Sequence, residues 1–371
     1  MGRMRVAFHT DQLWFSAPGG IGTYVRELPP ALAALPDPPT LTTFQVGSEN
    51  DQRDADVVVP GSIRTLYPSW GLIGRPNLPT ALTDRDIVHA TNHAAIPPVV
   101  PGQALIVTVH DLAFDVFPAA FPTSWRWLYR VGVRAAARRA HVVVTPSRST
   151  ANDVERRYGV DPARVSVTPL AASLRMTNVD LAETLAAFGI DPPFILCPGT
   201  LEPRKNQVRL IRAYRQVAAD VPHALVLSGP DGWGTDDVDA ELARSGPGRI
   251  IRTGLITEDQ MDALLRAADL VAYPSLYEGF GLPVVEAMAR GVPVLASITP
   301  AVAETAGDAA LLVDPEDVAA IAEGLARALT DRSLRDELVA KGTARAARFS
   351  WEATARATLD AYRDAMERTR A

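Results

Sequence analysis

Short apolar runs rich in β-branched residues alternate with amphipathic stretches along nearly all of this 371-residue chain. Such alternation implies parallel sheets with helices on both faces. In the first half the strands read RVAFHT, TLTTFQV, DIVHAT, ALIVTVHD and HVVVTPS, with helices expected over about 20–34, 123–140 and 148–158. In the second half they read FILCPGT, ALVLSGP, RIIRTGL, DLVAYPS, VPVLAS and AALLVD, with helices near 206–219, 235–245, 257–268, 282–290 and 316–330. The prolines at 29–39 and 60–79 predict irregular loops, and 171–192, with no clear strand, reads as an interdomain connection. No repeat of 20–50 residues is visible, which argues against a solenoid. The length suits two domains, and 47% hydrophobic residues give each a core. The expectation is two doubly wound α/β domains facing across a cleft, 1–172 and 173–350, with a C-terminal helix at 351–371 joining the first. Ligands bind at the C-terminal strand edges of such sheets.

The formal charge of −6 argues against a nucleic-acid partner. Of 37 basic residues only Lys205 and Lys341 are lysines. Cys197 is the sole cysteine, so an intrachain disulfide is excluded and a small buried hydrophobe is expected. No apolar run reaches membrane-spanning length, and the N-terminus lacks a signal-peptide layout. These features fit a cytoplasmic protein.

Residues 272–297, AYPSLYEGFGLPVVEAMARGVPVLAS, carry the densest chemistry. Glu278 precedes a turn of Gly279, Phe280 and Gly281, and Glu286 lies about one turn into an apolar helix that opens at Leu282 and Pro283. The glycines allow a sharp turn and close approach of a ligand. The helix N-terminus presents free N–H groups and the positive end of its dipole. Two carboxylates and several N–H donors suit a ligand with many hydroxyls and a phosphate, such as a sugar nucleotide. A second segment, GTLEPRKN at 199–206, sets Arg204 and Lys205 between a strand and a helix start, where cations are unfavourable unless an anion binds.

The pair of segments resembles the hallmarks of retaining GT-B glycosyltransferases of family 4, and the likeness runs from the N-terminal glycine loop to the C-terminal FSWEATARATL helix. It implies a GT-B fold, a nucleotide diphosphate sugar as substrate, retention of configuration, and no metal or cofactor. Arg204 and Lys205 would grip the diphosphate, Glu278 the transferred sugar, Glu286 the ribose hydroxyls, and the turn residues Gly279–Leu282 the donor. Gly20 and Gly22, in the loop SAPGGIGTY, would close over the donor phosphates. Gly254, after RIIRT, marks the base subsite. His110, at the end of ALIVTVHD, would lie beside the reacting sugar; it could equally be a strand-end histidine bonded to backbone, with Asp111 capping a turn. His9, His89 and His93 also fall near strand ends, without a metal-ligand spacing. The loop SITPAVAE at 297–304 departs from the family pattern at Ile298 and Pro300, which weakens any diphosphate role there. The form GTLEPRKN points to mannosyltransferases and to GDP-mannose. The acceptor would be a saccharide or a lipid-linked glycan.

Window 116–152 holds Arg126, Arg130, Arg134, Arg138, Arg139 and Arg148 with no acidic residue. Four of these form a stripe on one helix, with Trp125, Trp127 and Tyr129 at its start. Peripheral contact with an anionic membrane at the inner face of the plasma membrane is one reading, and a solvated arginine face is the other. Two further readings of the whole chain stay open beside the transferase: an inactive sugar-nucleotide-binding or assembly protein, and a GT-B nucleotide-sugar epimerase. A nicotinamide dehydrogenase is disfavoured because the glycine loop departs from G-x-G-x-x-G.

Overall fold

The computed structural model describes residues 3–16, 18–47, 54–173 and 179–370. The chain divides into two units. The first comprises Met1–Asp115, Thr123–Leu170 and Ser350–Ala371; the second comprises Val116–Pro122 and Ala171–Phe349.

The first unit carries seven strands: β1 (Arg5–His9), β2 (Thr40–Gly47), β3 (Val57–Pro60), β4 (Ile87–Ala90), β5 (Ala104–Thr108), β6 (Val142–Thr145) and β7 (Val165–Val167). They pair in parallel in the order β3-β2-β1-β4-β5-β6-β7. Val6 of β1 faces Leu41 on one side and Ile87 on the other, so the winding reverses between β1 and β4. The second unit repeats this plan with β8 (Phe194–Pro198), β9 (Ala224–Ser228), β10 (Ile250–Gly254), β11 (Leu270–Tyr273), β12 (Val294–Ser297) and β13 (Leu311–Val313). Their order is β10-β9-β8-β11-β12-β13, with the reversal between β8 and β11. The central strands are apolar and buried along their whole length, as required of a sheet covered on both faces.

The last helix, Trp351–Arg368, belongs to the first unit. Its buried Tyr362 hydroxyl lies 2.8 Å from His89 Nδ1, while His89 Nε2 lies 2.8 Å from the Thr108 hydroxyl. Tyr24, on the Gly19–Ala33 helix, reaches the same threonine at 3.1 Å. This chain of satisfied groups ties two helices to β4 and β5. Burial pushes His89 down to about 3, so the ring is neutral and can accept as well as donate.

Two expectations from proline content need correction. Pro29 and Pro30 lie inside the Gly19–Ala33 helix, and Pro68 lies inside the Ile63–Ile73 helix. Burial of Leu28 and Leu32 in one and of Leu66, Tyr67 and Trp70 in the other outweighs the lost N–H donors. Pro60 closes β3, a strand that the proline-rich reading concealed. Within 171–192, Leu181–Ala187 is a helix capped by Asp180, whose carboxylate accepts from the Glu183 N–H at 3.0 Å. Positions 174–178 of that stretch lie outside the described residues.

The Thr123–Arg139 helix approaches the loop after β4 closely at Gly132. A Cβ there would stand 1.9 Å from the His93 carbonyl oxygen, a backbone atom that cannot step aside alone. Gly132→Ala is therefore expected to destabilise the first unit by about 1–3 kcal/mol. Denaturant unfolding should show a lower midpoint, and an unchanged midpoint would contradict this packing.

Candidate active site

In the second unit the loops after β8 and β11 flank the reversal of strand order, where a crevice forms in doubly wound sheets. The β8 loop turns at Gly199, in the positive-φ region at 118°, and its carbonyl would meet any Cβ placed on Gly229 at 2.3 Å. Pro203–Lys205 then forms a 3-10 turn, and Asn206 takes φ 65° before the Gln207–Val217 helix. The Asn206 amide donates to the carbonyls of Pro274 at 2.9 Å and Pro315 at 2.7 Å. The Leu276 N–H donates to the Arg204 carbonyl at 2.7 Å. These bonds fix the two loops to each other before any side chain meets.

The side chains then converge. Glu278 accepts from Arg204 Nη1 at 2.9 Å and from Lys205 Nζ at 2.8 Å, one carboxylate oxygen to each cation. Glu202 holds the other end of the guanidinium, 2.8 Å from Nη2. Lys205 also donates to the Tyr273 hydroxyl at 2.5 Å and lies 4.8 Å from that ring's centre. All four charged side chains are at most 15% exposed. Burial would raise the Glu278 carboxyl, but the charges of Arg204 and Lys205 outweigh it and hold the group down at about 2. Spacing along the chain carries no direct sign of this pairing, of the Tyr273 contact or of the Asn206 strut. Glu202 was visible as an acid two residues before Arg204, without an assigned role.

Glu286 lies on the Leu282–Ala289 helix and is half-buried. Its carboxylate hydrogen-bonds to no described residue; Arg290 donates to its backbone carbonyl at 3.0 Å and pairs with Asp262 at 2.7 Å. Burial raises its carboxyl above the ordinary range, with Arg290 opposing and Glu258 adding. Gly281, at φ 91°, is the residue before this helix, which leaves the first-turn N–H groups without a side-chain cap. Phe280 and Leu282 are buried, and the Phe280 carbonyl accepts from the Thr305 hydroxyl at 2.6 Å. Gly279 is buried too. These turn residues can thus meet a ligand through backbone, not through side chains. Gly254 ends β10 at φ 69° with open space around its Cα, and Leu255 beside it is 64% exposed. In the 297–304 loop Ile298 is exposed, and the hydroxyls of Ser297 and Thr299 bond to each other at 2.7 Å.

In the first unit the glycine loop opens the Gly19–Ala33 helix. Gly20 is exposed in the first turn, whereas Gly22 is packed against Pro18, where a Cβ would sit 2.3 Å from that ring's own Cβ. Ala17 of this loop lies outside the described residues. The β1 and β4 loops are laced together: Thr91 donates to the His9 carbonyl at 2.8 Å, and the Asn92 amide to Gln12 at 3.0 Å. His110 is buried, with Nε2 3.0 Å from the Thr91 carbonyl, and burial lowers it to about 4. A neutral ring donating through Nε2 leaves the Nδ1 lone pair available. Asp111 caps a turn by accepting from the Ala113 N–H at 2.9 Å. His9 instead pairs with Asp11 at 3.1 Å, and Asp11 accepts from the Tyr67 hydroxyl at 2.6 Å. Among the described residues no three His, Cys, Asp or Glu side chains converge in a metal-holding group.

The Glu278 cluster has a consequence for stability. The folded carboxyl sits near 2 against 4.5 for an ordinary glutamate, so its stabilisation is complete above about pH 4.5 and is lost as pH falls toward 2. The melting-temperature difference between the native chain and Glu278→Gln should therefore be largest above pH 4.5 and shrink below it. A difference that stays constant from pH 6 to pH 2.5 would contradict the pairing.

The architecture and both loop pairs can be set against known proteins. The profile of the group 1 glycosyl transferases matches residues 185–345, and that of Glycosyltransferase Family 4 matches residues 18–174. The O-antigen chain mannosyltransferase B of Escherichia coli is 30% identical over 383 residues, covering 97% of this chain and 100% of that protein. Among solved structures, the sucrose-phosphate synthase of Thermosynechococcus elongatus has a TM-score of 0.72 at 23% identity, covering 97% of this chain and 98% of its own. Anabaena HepE, solved with UDP and glucose, has a TM-score of 0.72 at 19% identity, covering 96% of this chain and 99% of its own. The structural likenesses show the GT-B fold, and the sequence likeness carries the chemistry further: this chain is a glycosyltransferase and belongs to family 4, among the group 1 glycosyl transferases.

Proposed function

We propose that the protein transfers a hexosyl group, mannose first among the candidates, from a nucleotide diphosphate sugar to a hydroxyl of a saccharide or lipid-linked glycan. The observation that carries this reading is the meeting of Arg204, Lys205 and Glu278 at the β8/β11 crevice. A diphosphate entering there competes with Glu278 for both cations, and the released carboxylate is then free to accept from sugar hydroxyls. Glu286, whose carboxylate has no hydrogen-bonding partner among the described residues, suits the ribose hydroxyls. The bond from the sugar's anomeric carbon to the β-phosphate oxygen breaks as Arg204 and Lys205 take up the charge that develops there. The acceptor oxygen bonds to the same face of that carbon, and its proton passes to the departing phosphate, so configuration is retained without a metal. The reaction belongs in the cytoplasm, where nucleotide sugars are made. GDP-mannose is favoured over UDP-glucose because the full-length relative is named a mannosyltransferase, whereas the UDP-bound Anabaena structure shares only the fold.

A thermal-shift panel of nucleotide sugars tests the donor, since a ligand that binds the folded state raises its apparent stability. GDP-mannose should give the largest shift, and NMR of the product should show the donor's anomeric configuration. Turnover should persist in EDTA; complete loss restored by Mn²⁺ or Mg²⁺ would overturn the leaving-group assignment. Donor binding without turnover would favour an assembly protein, and epimer formation without acceptor would favour an epimerase.

Arg204→Ala and Lys205→Ala are each expected to lower turnover by about 10²–10³-fold. Glu286→Ala should weaken binding of the free nucleoside diphosphate. Glu278→Ala should tighten it by removing a competitor for the cations, while abolishing transfer. Calorimetry that finds weaker nucleoside diphosphate binding in Glu278→Ala would refute the exchange.

A further inference from the structure

The first unit carries a face that the glycosyl-transfer reading leaves unused. The C-terminal turn of the Ile63–Ile73 helix packs on the Thr123–Arg139 helix. A Cβ on Gly71 would lie 2.7 Å from a Val131 methyl, and Arg139 donates to the Trp70 carbonyl at 2.6 Å. Leu72 and Ile73 follow at once and are 61% and 70% exposed, the two most exposed of the large hydrophobics at helix ends in this unit. Along the partner helix, Trp127, Val131, Arg134 and Arg138 recur at spacings of four, three and four, on one face. Val131 is buried beneath Gly71, Trp127 is 48% exposed, and Arg134 and Arg138 are exposed. A cavity of about 250 Å³ beside Trp127 is walled by Arg126, Arg130 and Arg134.

Charge separates this face from the rest of the molecule. The chain is acidic overall, yet both contributing segments, 57–83 and 116–152, contain no Asp or Glu. Arg75, next to the aliphatic pair, is exposed and joins Arg134 and Arg138 in lacking a carboxylate partner among the described residues. Arg130 is different, since its Nε pairs with Asp115 at 2.5 Å.

We propose that this face docks on an anionic phospholipid bilayer, with Leu72, Ile73 and Trp127 entering the headgroup region and Arg75, Arg134 and Arg138 meeting lipid phosphates. A soluble anion would use the arginines but has no use for two aliphatic side chains held in water. A second copy of the chain in a two-fold contact would set arginine against arginine, which is unfavourable. A bilayer satisfies both features, because apolar burial and electrostatic attraction add at its surface. Among the described residues no helix is long and apolar enough to cross a membrane, so the contact is peripheral.

Flotation of the full chain with phosphatidylcholine vesicles, with and without phosphatidylglycerol, needs no sugar substrate and so stands or falls apart from the transferase assignment. Binding is expected only with the anionic lipid and should weaken at high salt. Leu72→Ser with Ile73→Ser should lower partitioning by about tenfold or more at either salt. Arg75→Gln, Arg134→Gln and Arg138→Gln should each lower it by about fivefold at low salt and leave little salt dependence when combined. All these residues are exposed, and circular dichroism checks that each variant is folded. A native chain left at the bottom of the gradient at low salt with anionic vesicles overturns the proposal. So does binding indifferent to the Leu72 and Ile73 changes, or a solution dimer that dissociates with them.

Discussion

Where the order of a parallel sheet turns back on itself, successive loops leave in opposite directions and a gap opens that no crossover helix can fill. This chain makes that reversal twice, between β1 and β4 and between β8 and β11. The charged side chains that converge in the second unit depend on it. Arg204 and Lys205 leave β8 on one side, Glu278 leaves β11 on the other, and the backbone bonds of Asn206 and Leu276 set their separation. In the first unit the same reversal brings the Gly19–Ala33 helix and the Thr91–His93 loop to one edge.

Placing four charged groups in that gap is costly. Desolvation takes several kcal/mol per ion, and only close pairing with additional hydrogen bonds offsets it. The cluster meets this condition as it stands, with two cations against two carboxylates and the Tyr273 hydroxyl on the ammonium. Under the proposed function, an incoming diphosphate would meet cations already oriented, the cost of bringing them together having been met during folding, and binding would have to supply only the displacement of one carboxylate. The low position of Glu278 means that this carboxylate would leave as an anion.

Much of the architecture was legible because strand and helix have different apolar periods, and eleven runs such as FILCP and LVAY stand out between glycines and prolines. The missed strands, β3 and β7, have four and three residues, among which only Val59 is buried, too little pattern to register. The Ile63–Ile73 helix was hidden for another reason: its stability lies in buried Leu66, Tyr67 and Trp70, contacts that only the tertiary structure reveals. For the site, spacing along the chain located Arg204, Lys205, Glu278 and Glu286 on loops and a helix start. It could not show that three of them touch, because the contact spans more than seventy residues. Nor could it show that the missing side chain of Gly22 makes room for Pro18.

The return of the Trp351–Arg368 helix to the first unit bears on how the polypeptide leaves the ribosome. The second unit is nearly continuous, from Ala171 to Phe349, and sits within the sequence of the first as an insertion. When residue 349 emerges, the second unit has all its strands, while the first still lacks the Tyr362 hydroxyl for His89 and the helix that covers β5 and β6. The unit synthesised first is therefore the one completed last. During synthesis a buried imidazole and one face of the seven-stranded sheet await a segment more than 180 residues downstream, as the bond from Thr354 to the Pro169 carbonyl records. Loss of the final two turns would leave the second unit whole and the first one open, a defect in assembly order and not in chemistry.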